Sequence, residues 1–277
     1  MPELPEVEIT RRHLERALTG RSLAEVVVSH PRTARHNSSP EEVETRLRGR
    51  RVTEVGRKGK FLLVTLDDGQ TMVAHLGMSG RFSVAEPEEE RPAHTHFVAR
   101  LDDGTEVRFI DPRTFGFVAA LDEDEMAGSG VARLGPDAWH DRPEAEILAE
   151  RLRGRTAPIK ALLLDQGPIS GLGNIYADEA LHRAGIHPQT PAGELGLERL
   201  SALSDAIVAV LESAIEGGGT TLDDLAYLLP DGRAGENLDR LRVYGREDEP
   251  CLACGSPIER VVIRARSSFF CPRCQPR

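Results

Sequence analysis

The sequence has few aromatic residues, few lysines and no long apolar segment. Phe, Trp and Tyr make up 4% of its 277 residues, and its only lysines are Lys58, Lys60 and Lys160. No apolar run approaches the roughly 20 residues that a membrane-spanning helix requires. The acidic N-terminus lacks the basic region and the apolar core of a signal peptide. We therefore expect a cytoplasmic protein that does not associate with membranes.

The net charge does not by itself favour a nucleic-acid-binding protein. It is −10, and the pI is about 5.5, whereas proteins of that class usually present a basic surface. The charges are unevenly distributed, however. Basic residues concentrate in segments 46–60 and 260–277, and acidic residues in segments 86–90, 122–125 and 247–249. Each basic segment fits either a solvated face or a contact with nucleic acid.

The pattern of the chain predicts an α+β protein of two domains. Short strands occupy residues 52–121, with Asp-Gly turns at 67–69 and 102–104 that are typical of hairpins. A succession of short strands with regular turns indicates a sandwich or barrel. Helical spacing dominates from residue 144 onwards,. No glycine-rich nucleotide-binding motif follows any of the predicted strands.

The first six residues carry a candidate nucleophile. Removal of Met1 would expose the secondary amine of Pro2, and an α-amino group titrates near ~7.7–8.0, against about 10.4 for lysine. Such an amine can attack an electrophilic sugar carbon and form a Schiff base. Glu3 lies beside it and could transfer protons. The same stretch also fits an ordinary helix start, with Pro5 and Glu6 in the first turn.

The cysteines form two C-x-x-C pairs near the end of the chain. The two pairs are separated by 16 residues, within the range of four-cysteine zinc sites,. A closed site of this kind is structural, and its metal supplies folding energy to a module with little core of its own. The alternatives are two disulfides or a redox pair, and a cytoplasmic location disfavours disulfides. The predicted zinc ligands are Cys251, Cys254, Cys271 and Cys274.

With both ends of the chain considered, the sequence resembles the bacterial formamidopyrimidine-DNA glycosylases over essentially its whole length. The start, Pro2-Glu3-Leu4-Pro5-Glu6-Val7-Glu8, follows the pattern of this family. The resemblance implies an enzyme that flips out and excises oxidised purines, 8-oxoguanine and formamidopyrimidines among them. It then cleaves the abasic site by β,δ-elimination. Pro2 would attack C1′, Glu3 would act as acid and base, and Glu6 would support them.

Further motifs extend the resemblance through the predicted sandwich. Arg57-Lys58-Gly59-Lys60-Phe61-Leu62 places the family's active-site lysine at Lys60. His75-Leu76-Gly77-Met78-Ser79-Gly80 and Asp111-Pro112-Arg113-Thr114-Phe115-Gly116 resemble two loops that enter DNA. An extruded nucleotide leaves a gap that such side chains fill. The resemblance implies DNA contacts by His75, Met78, Arg113 and Phe115. Packing of Met78 and Phe115 in a core is the alternative.

The second half of the chain resembles the DNA-gripping part of the family. Its motifs are Ile159-Lys160-Ala161-Leu162-Leu163, Gly171-Leu172-Gly173-Asn174-Ile175-Tyr176 and Val243-Tyr244-Gly245-Arg246. The resemblance implies a helix–two-turns–helix element, with a supporting Lys160 and DNA contacts by Asn174 and Tyr244. In the hairpin between the cysteine pairs, Arg266 matches the arginine that would hold the phosphates beside the lesion.

The resemblance also implies the domain order and the partners. We expect an N-terminal β-sandwich flanked by helices, a C-terminal helical domain and a zinc-finger β-hairpin. The expected boundaries are 1–130 for the catalytic sandwich, 131–143 for a linker, 144–240 for the helical domain and 241–277 for the zinc finger. The protein would act as a monomer on damaged double-stranded DNA in the bacterial nucleoid and would contain one structural Zn²⁺.

One stretch departs from the family pattern. Residues 232–237 read Gly-Arg-Ala-Gly-Glu-Asn where the family carries a Gly-aromatic-Phe step in a lesion-capping loop. The preferred lesion and the base opposite it therefore stay open. Two alternatives also remain, namely an endonuclease VIII-like glycosylase for oxidised pyrimidines and a non-catalytic protein that binds damaged DNA. Leu4 and the set of Met78, Arg113 and Phe115 disfavour the first alternative. The second is disfavoured by the presence together of Pro2, Glu3, Lys60 and Arg266.

Overall fold

A computed structural model describes residues 2–222 and 227–277. Its backbone contacts divide the chain into two compact units. The first comprises Met1–Ala132 and Gly217–Glu236, and the second comprises Arg133–Glu216 and Asn237–Arg277. Segment 217–236, which the sequence placed in the helical domain, thus groups with the first unit. The boundaries of independently folding domains stay a prediction.

The first unit contains helices at its beginning and end and strands between them. Its elements are α1 (Leu4–Leu18), β1 (Leu23–Val28), α2 (Pro40–Leu47), β2 (Val52–Lys58), β3 (Phe61–Leu66), β4 (Thr71–His75), β5 (Arg81–Ala85), β6 (Thr95–Leu101), β7 (Glu106–Ile110), β8 (Phe117–Leu121) and α3 (Glu123–Gly128).

These strands form two antiparallel sheets of four strands each, in the orders β1-β6-β7-β5 and β2-β3-β4-β8. In β3 the inward residues alternate with half-buried ones, as the two-residue period of a strand requires,. One hydrophobic cluster combines side chains from both sheets with those of α1 and α2, including Leu14, Val43, Leu62 and Phe109. The predicted sandwich flanked by helices is confirmed.

Strand β5 was not predicted, because its five residues carry little β-branched signal of their own. Its Phe82 is buried and pairs with Phe109 of β7, a contact that only the fold provides. The last strand of the unit, β8, begins at Phe117. Thr114 has a φ of 52°, and this left-handed residue turns the chain before β8 can start.

The second unit is mainly helical and ends in a hairpin. Its elements are α4 (Ala145–Leu152), α5 (Ile159–Leu164), α6 (Asn174–Arg183), α7 (Leu197–Glu216), β9 (Glu259–Ile263) and β10 (Arg266–Phe270).

The hairpin of β9 and β10 turns through two residues. Ile263 and Arg266 are paired, and Arg264 and Ala265 between them both have positive φ values of 46° and 61°. Two left-handed residues in succession give the tight turn that matches the twist of paired strands. Arg266 is therefore the first residue of β10, directly after the turn. Among the described residues, no helix is both long enough and apolar enough to cross a membrane.

Candidate active site and nucleic-acid interface

The first candidate site is the start of the chain, where three predicted residues are buried together. Pro2, Glu3 and Glu6 are all buried, with Glu3 and Glu6 each only 2% exposed. Glu3 is the N-cap of α1, and its backbone N–H donates to Oε2 of Glu6 at 2.8 Å. The other oxygen of Glu6, Oε1, accepts a hydrogen bond from the backbone N–H of Thr220 at 2.9 Å. Glu6 thus joins the helix start to a segment more than 200 residues away in sequence.

Glycines allow that distant segment to approach so closely. A Cβ on Gly219 would lie 3.0 Å from Oε1 of Glu6, and Gly219 has a φ of +80°. A Cβ on Gly235 would lie 2.3 Å from the carbonyl oxygen of Gly219. Both positions therefore require glycine. The sequence indicated only a loop here. Residues 223–226 of the stretch 220–242 lie outside the described residues.

Lys60, the predicted active-site lysine, is 7% exposed and lies in the two-residue turn between β2 and β3. The turn is fixed from α1 by Arg57, whose Nε donates to Glu8 at 3.1 Å while Nη1 donates to the carbonyl of Gly59 at 2.9 Å. Burial alone would raise the pKa of Glu8, but hydrogen bonds from Arg11 and Arg57 and the charge of Arg11 lower it. Glu8 is thus an anchor, a role that the sequence analysis missed.

His75 lies at the end of β4, near Lys60. Burial lowers the pKa of His75 to about 4, and the positive charges of Lys60 and Arg35 lower it further. Its Nδ1 accepts a hydrogen bond from the N–H of Gly77 at 3.0 Å, so the neutral imidazole directs the loop that follows β4. His75 is therefore an uncharged side chain at physiological pH.

The two predicted DNA-entering loops are adjacent and share one buried carboxylate. Asp111 is fully buried. Its Oδ1 accepts from the hydroxyl of Ser79 at 2.6 Å, and its Oδ2 accepts from the N–H of Gly116 at 2.7 Å. One loop carries Met78 beside Ser79, and the other carries Phe115 beside Gly116. Asp111 therefore links the loops, a role that the motif did not reveal.

The backbones of these loops are also in direct contact. Gly77 has a φ of +66°, and a Cβ there would lie 2.4 Å from the nitrogen of Gly116. From the segment before α2, Arg35 donates to the carbonyl of Phe115 at 2.8 Å and to that of Gly116. These contacts leave the tip of the second loop accessible, since the side chain of Phe115 is 41% exposed. The guanidinium of Arg113 lies 5.0 Å from the centroid of the Phe115 ring.

In the second unit, Lys160 is fully buried and does not face solvent. Its Nζ forms an ion pair with Asp178 of α6 at 2.7 Å and donates to the carbonyl of Ser267 at 2.9 Å. Burial raises the pKa of Asp178 to about 7, against the lowering effect of Lys160. The other carboxylate oxygen of Asp178 accepts from the N–H of Phe269 at 3.0 Å. Lys160 and Asp178 together hold β10, whose first residue is the exposed Arg266.

The predicted phosphate contacts lie on the same scaffold. The side-chain amide of Asn174, at the start of α6, donates to the carbonyl of Ser267 at 3.0 Å. Glu179 accepts hydrogen bonds at 2.8–2.9 Å from three successive N–H groups, the last being that of Tyr244. The Tyr244 ring packs edge-on against Phe269, with centroids 5.2 Å apart. Helix α6 therefore positions Asn174, Tyr244 and Arg266 together.

The four cysteines are brought together as predicted. Their sulfur atoms all lie within 4.8 Å of one another. The separation of Cys254 and Cys271 is 3.4 Å, and that of Cys251 and Cys274 is 3.9 Å. Zn–S bonds of about 2.3 Å in a tetrahedron place sulfur atoms about 3.8 Å apart. The site therefore fits one structural Zn²⁺ with four thiolate ligands, which joins both ends of the hairpin module.

Comparison with known families covers most of the chain in three consecutive regions. Residues 1–118 match the formamidopyrimidine-DNA glycosylase N-terminal domain, and residues 134–225 match the H2TH domain of the same glycosylase. Residues 248–277 match a zinc finger found in FPG and IleRS. This arrangement defines a DNA glycosylase of the helix–two-turns–helix, zinc-finger class.

Relatives that match over the whole chain indicate the same family. The chain is 46% identical to a formamidopyrimidine-DNA glycosylase of Rhizorhabdus wittichii, over 99% of this chain and 100% of the relative. The crystal structure of the MutM (Fpg) protein from Thermus thermophilus is similar at a TM-score of 0.87 and 42% identity, covering 99% and 98% of the two chains. The structure of a Lactococcus lactis Fpg bound to DNA with an abasic site is similar at a TM-score of 0.90 and 30% sequence identity, and the match covers both chains fully. The chain belongs to the formamidopyrimidine-DNA glycosylase family.

The neutral state of His75 predicts a pH dependence of stability. Below about pH 6.5 the unfolded chain binds a proton at His75 that the folded chain does not bind until about pH 4, so acid favours unfolding in this window. The substitution His75→Asn removes the titrating imidazole, while the amide oxygen of the new asparagine can still accept the hydrogen bond from the N–H of Gly77. The unfolding free energy should therefore fall less between pH 6.5 and 4 in this variant, by about 2–3 kcal/mol.

The measurement is urea denaturation at several pH values, with unfolding monitored by circular dichroism. His94→Asn is the matched control, because His94 is an exposed histidine of the same unit. It has a φ of 65°, which asparagine also tolerates. The control should retain the wild-type slope of stability against pH. Equal slopes for His75→Asn and wild type would contradict the prediction.

Proposed function

We propose that this protein excises oxidised purines from double-stranded DNA and then cleaves the resulting abasic strand. The observation that supports this most is the start of the chain, where Pro2 lies next to two buried carboxylates at the end of a helix. Glu6 anchors that end through the backbone N–H groups of Glu3 and Thr220. A fixed N-terminal amine beside an acid is the arrangement that Schiff-base chemistry at a sugar requires.

The proposed reaction starts after removal of Met1. The lone pair of the Pro2 nitrogen forms a bond to C1′, and the bond from C1′ to the base breaks. The base leaves with the electron pair and takes up the proton that the Pro2 nitrogen loses. Glu3 then protonates O4′ as the sugar ring opens, which gives an iminium ion at C1′. Loss of a proton from C2′ expels the 3′ phosphate, and a second elimination expels the 5′ phosphate. Lys60 would supply positive charge to this reaction.

Met78, Arg113 and Phe115 would fill the space left by the extruded nucleotide. The base and C1′ are out of reach within a stacked duplex, so the enzyme must first flip the nucleotide out. Phe115 is exposed on a loop that the buried Asp111 fixes through the N–H of Gly116, and such a side chain suits an apolar wedge,. Arg113 lies against its ring and can donate to the orphaned base,. Rigid support matters, because a mobile wedge would lose ordering entropy on insertion.

Arg266, Asn174 and Tyr244 would hold the DNA backbone. Arg266 is exposed at the start of β10, and a guanidinium can donate two hydrogen bonds to one phosphate,. Lys160 has a supporting role, since its charge is neutralised by Asp178 beneath the hairpin. Solved relatives point to the same partner, since Lactococcus lactis Fpg has been crystallised with abasic-site DNA and with Fapy-dG DNA. Because these contacts would neutralise phosphates, DNA binding should weaken as the salt concentration rises.

The protein would act as a monomer in the bacterial cytoplasm, in contact with the nucleoid. Its relatives are bacterial, and its proposed substrate is chromosomal DNA. A fluorescent fusion should follow the DNA stain in dividing cells. An even distribution outside the stained nucleoid after oxidative damage would contradict this localisation.

Borohydride trapping tests the proposed nucleophile. Reduction of the iminium intermediate should link the protein covalently to a duplex that contains 8-oxoguanine, and the adduct should be lost in Pro2→Gly. Intact-mass analysis of the active protein should show that Met1 is absent. An active protein that retains Met1 would rule out the mechanism, because Pro2 would then be an amide.

The same assay separates the alternatives. An endonuclease VIII-like enzyme would be trapped only on duplexes with oxidised pyrimidines, and a non-catalytic binding protein would be trapped on none. Pro5→Gly serves as the matched control for the loss of a proline near the N-terminus, and it should still form the adduct. If Pro2→Gly is trapped as efficiently as wild type, the nucleophile lies elsewhere.

Asp111 provides a second test, aimed at the wedge loops. Asp111→Asn keeps the size of the side chain but puts an N–H donor group in place of one acceptor, so the bond to Ser79 or to Gly116 weakens. The excision rate on duplex DNA should fall about tenfold, since one or two charge-assisted hydrogen bonds are lost. The strand cleavage of a single-stranded abasic oligonucleotide, which has no orphaned base, should fall much less.

Asp102→Asn, in an exposed turn of the same unit, is the control and should behave like wild type on both substrates. Equal losses on duplex and single-stranded DNA would mean that Asp111 affects the whole unit rather than the wedge loops.

A further inference from the structure

Helix α6 makes a series of contacts with the zinc-finger module, spaced one turn apart. Asn174 donates to the carbonyl of Ser267, and Asp178 accepts from the N–H of Phe269. The next residue at this spacing is His182, whose Nε2 lies 3.6 Å from Sγ of Cys251. Residues four apart lie on one face of a helix. His182 therefore extends the same row of contacts to one of the four zinc ligands.

We propose that His182 donates a hydrogen bond from Nε2–H to the Cys251 thiolate and thereby stabilises zinc in the site. The distance is suited to an N–H donor and a sulfur acceptor. His182 is not a member of the four-residue cluster, whose ligand atoms all lie within 4.8 Å of one another. The imidazole thus acts on a ligand and leaves the metal's four coordination positions to the cysteines.

The charge of the site explains why such a donor matters. Zn²⁺ with four thiolates carries a net charge of −2, and buried negative charge is costly unless N–H donors surround it. Cys251 is only 2% exposed, so water has little access to its sulfur. Cys271 receives a hydrogen bond from the backbone N–H of Cys274 at 3.4 Å. The sulfur of Cys251 has a contact outside the cysteine cluster with His182.

The proposal connects metal retention to the phosphate-binding helix. His182 occupies the last turn of α6, and Asn174 occupies its first residue. The contact at Cys251 therefore fixes the far end of the helix that positions Asn174. Loss of the hydrogen bond should weaken metal binding first, and it should affect the position of α6 only through the metal site. Because the contact needs no DNA, this inference is independent of the proposed glycosylase activity.

The test is the rate at which zinc leaves the full-length protein in the absence of DNA. A colorimetric chelator in excess records the release from wild type, His182→Leu and His182→Gln. Removal of a hydrogen-bond partner behind a metal ligand typically costs about 10–100-fold in metal affinity. We expect His182→Leu to release zinc at least about tenfold faster. His182→Gln, which retains an N–H donor, should restore much of the wild-type rate.

Cobalt(II) substitution provides a readout that a purely structural role would not change. A hydrogen bond withdraws electron density from the thiolate, so the thiolate-to-cobalt charge-transfer band should shift to lower energy in His182→Leu and return in His182→Gln. His140→Leu is the matched control, because His140 is an exposed histidine of the same unit. It should leave both the band and the release rate unchanged.

Three outcomes would overturn the proposal. One is zinc release from His182→Leu at the wild-type rate with an unshifted cobalt band. A second is a cobalt spectrum of wild type that indicates three sulfur ligands and one nitrogen, since His182 would then be a metal ligand and not a donor to one. If His182→Leu and His182→Gln lose zinc equally fast, the side chain contributes packing alone, and the hydrogen bond is excluded.

Discussion

The buried carboxylate of Glu6 is the interaction on which the proposed active site depends. It accepts one hydrogen bond from the N–H of Glu3 and one from the N–H of Thr220. The N-terminus of a chain is normally mobile, because nothing precedes it to restrain it. Here the first helical turn is attached to a second segment of the same unit, so Pro2 is buried at a defined place. A nucleophile that must meet C1′ of an extruded nucleotide requires such a fixed position.

Buried carboxylates also hold two other segments that carry predicted DNA-contacting residues. Asp111 fixes the two loops that carry Met78 and Phe115, and Glu179 fixes the backbone that carries Tyr244. In each case an acidic side chain is buried and accepts hydrogen bonds from backbone N–H groups or a hydroxyl. Charge-assisted bonds of this kind are stronger than neutral ones. Acidic residues of this protein thus orient the groups that would contact DNA.

This use of acids clarifies how an acidic protein can be built to bind DNA. Some acidic residues of this protein, whose net charge is −10, are internal, where Glu8 pairs with Arg57 and Asp178 pairs with Lys160. Such groups do not repel phosphate as exposed acids do, since their charge is compensated locally. Arg113 and Arg266, by contrast, are exposed. The distribution of charge, and not its sum, is therefore what bears on DNA binding.

The sequence alone predicted the elements whose signals are local. The strands of the sandwich, the helices from residue 144 onwards, the zinc site and the family followed from periodicity, from the cysteine spacing and from contiguous motifs. The fold class and the zinc site are confirmed by the structure. The roles of Pro2, Glu3, Lys60 and Arg266 stay predictions, although the structure adds that the first three are buried and that Arg266 is exposed.

The groups that support these residues could not be predicted, because their partners are distant in sequence. Asp111 is part of a recognisable motif, but nothing local shows that it binds Ser79. Lys160 was expected to support DNA binding, yet only the fold reveals its burial against Asp178. Gly235 resembles any loop glycine until the carbonyl of Gly219 is found beside it. The residues that could do the chemistry are therefore recognisable from the order of amino acids alone. The residues that hold them in place are visible only in the fold, since hydrogen bonds between distant segments form only when the chain has folded.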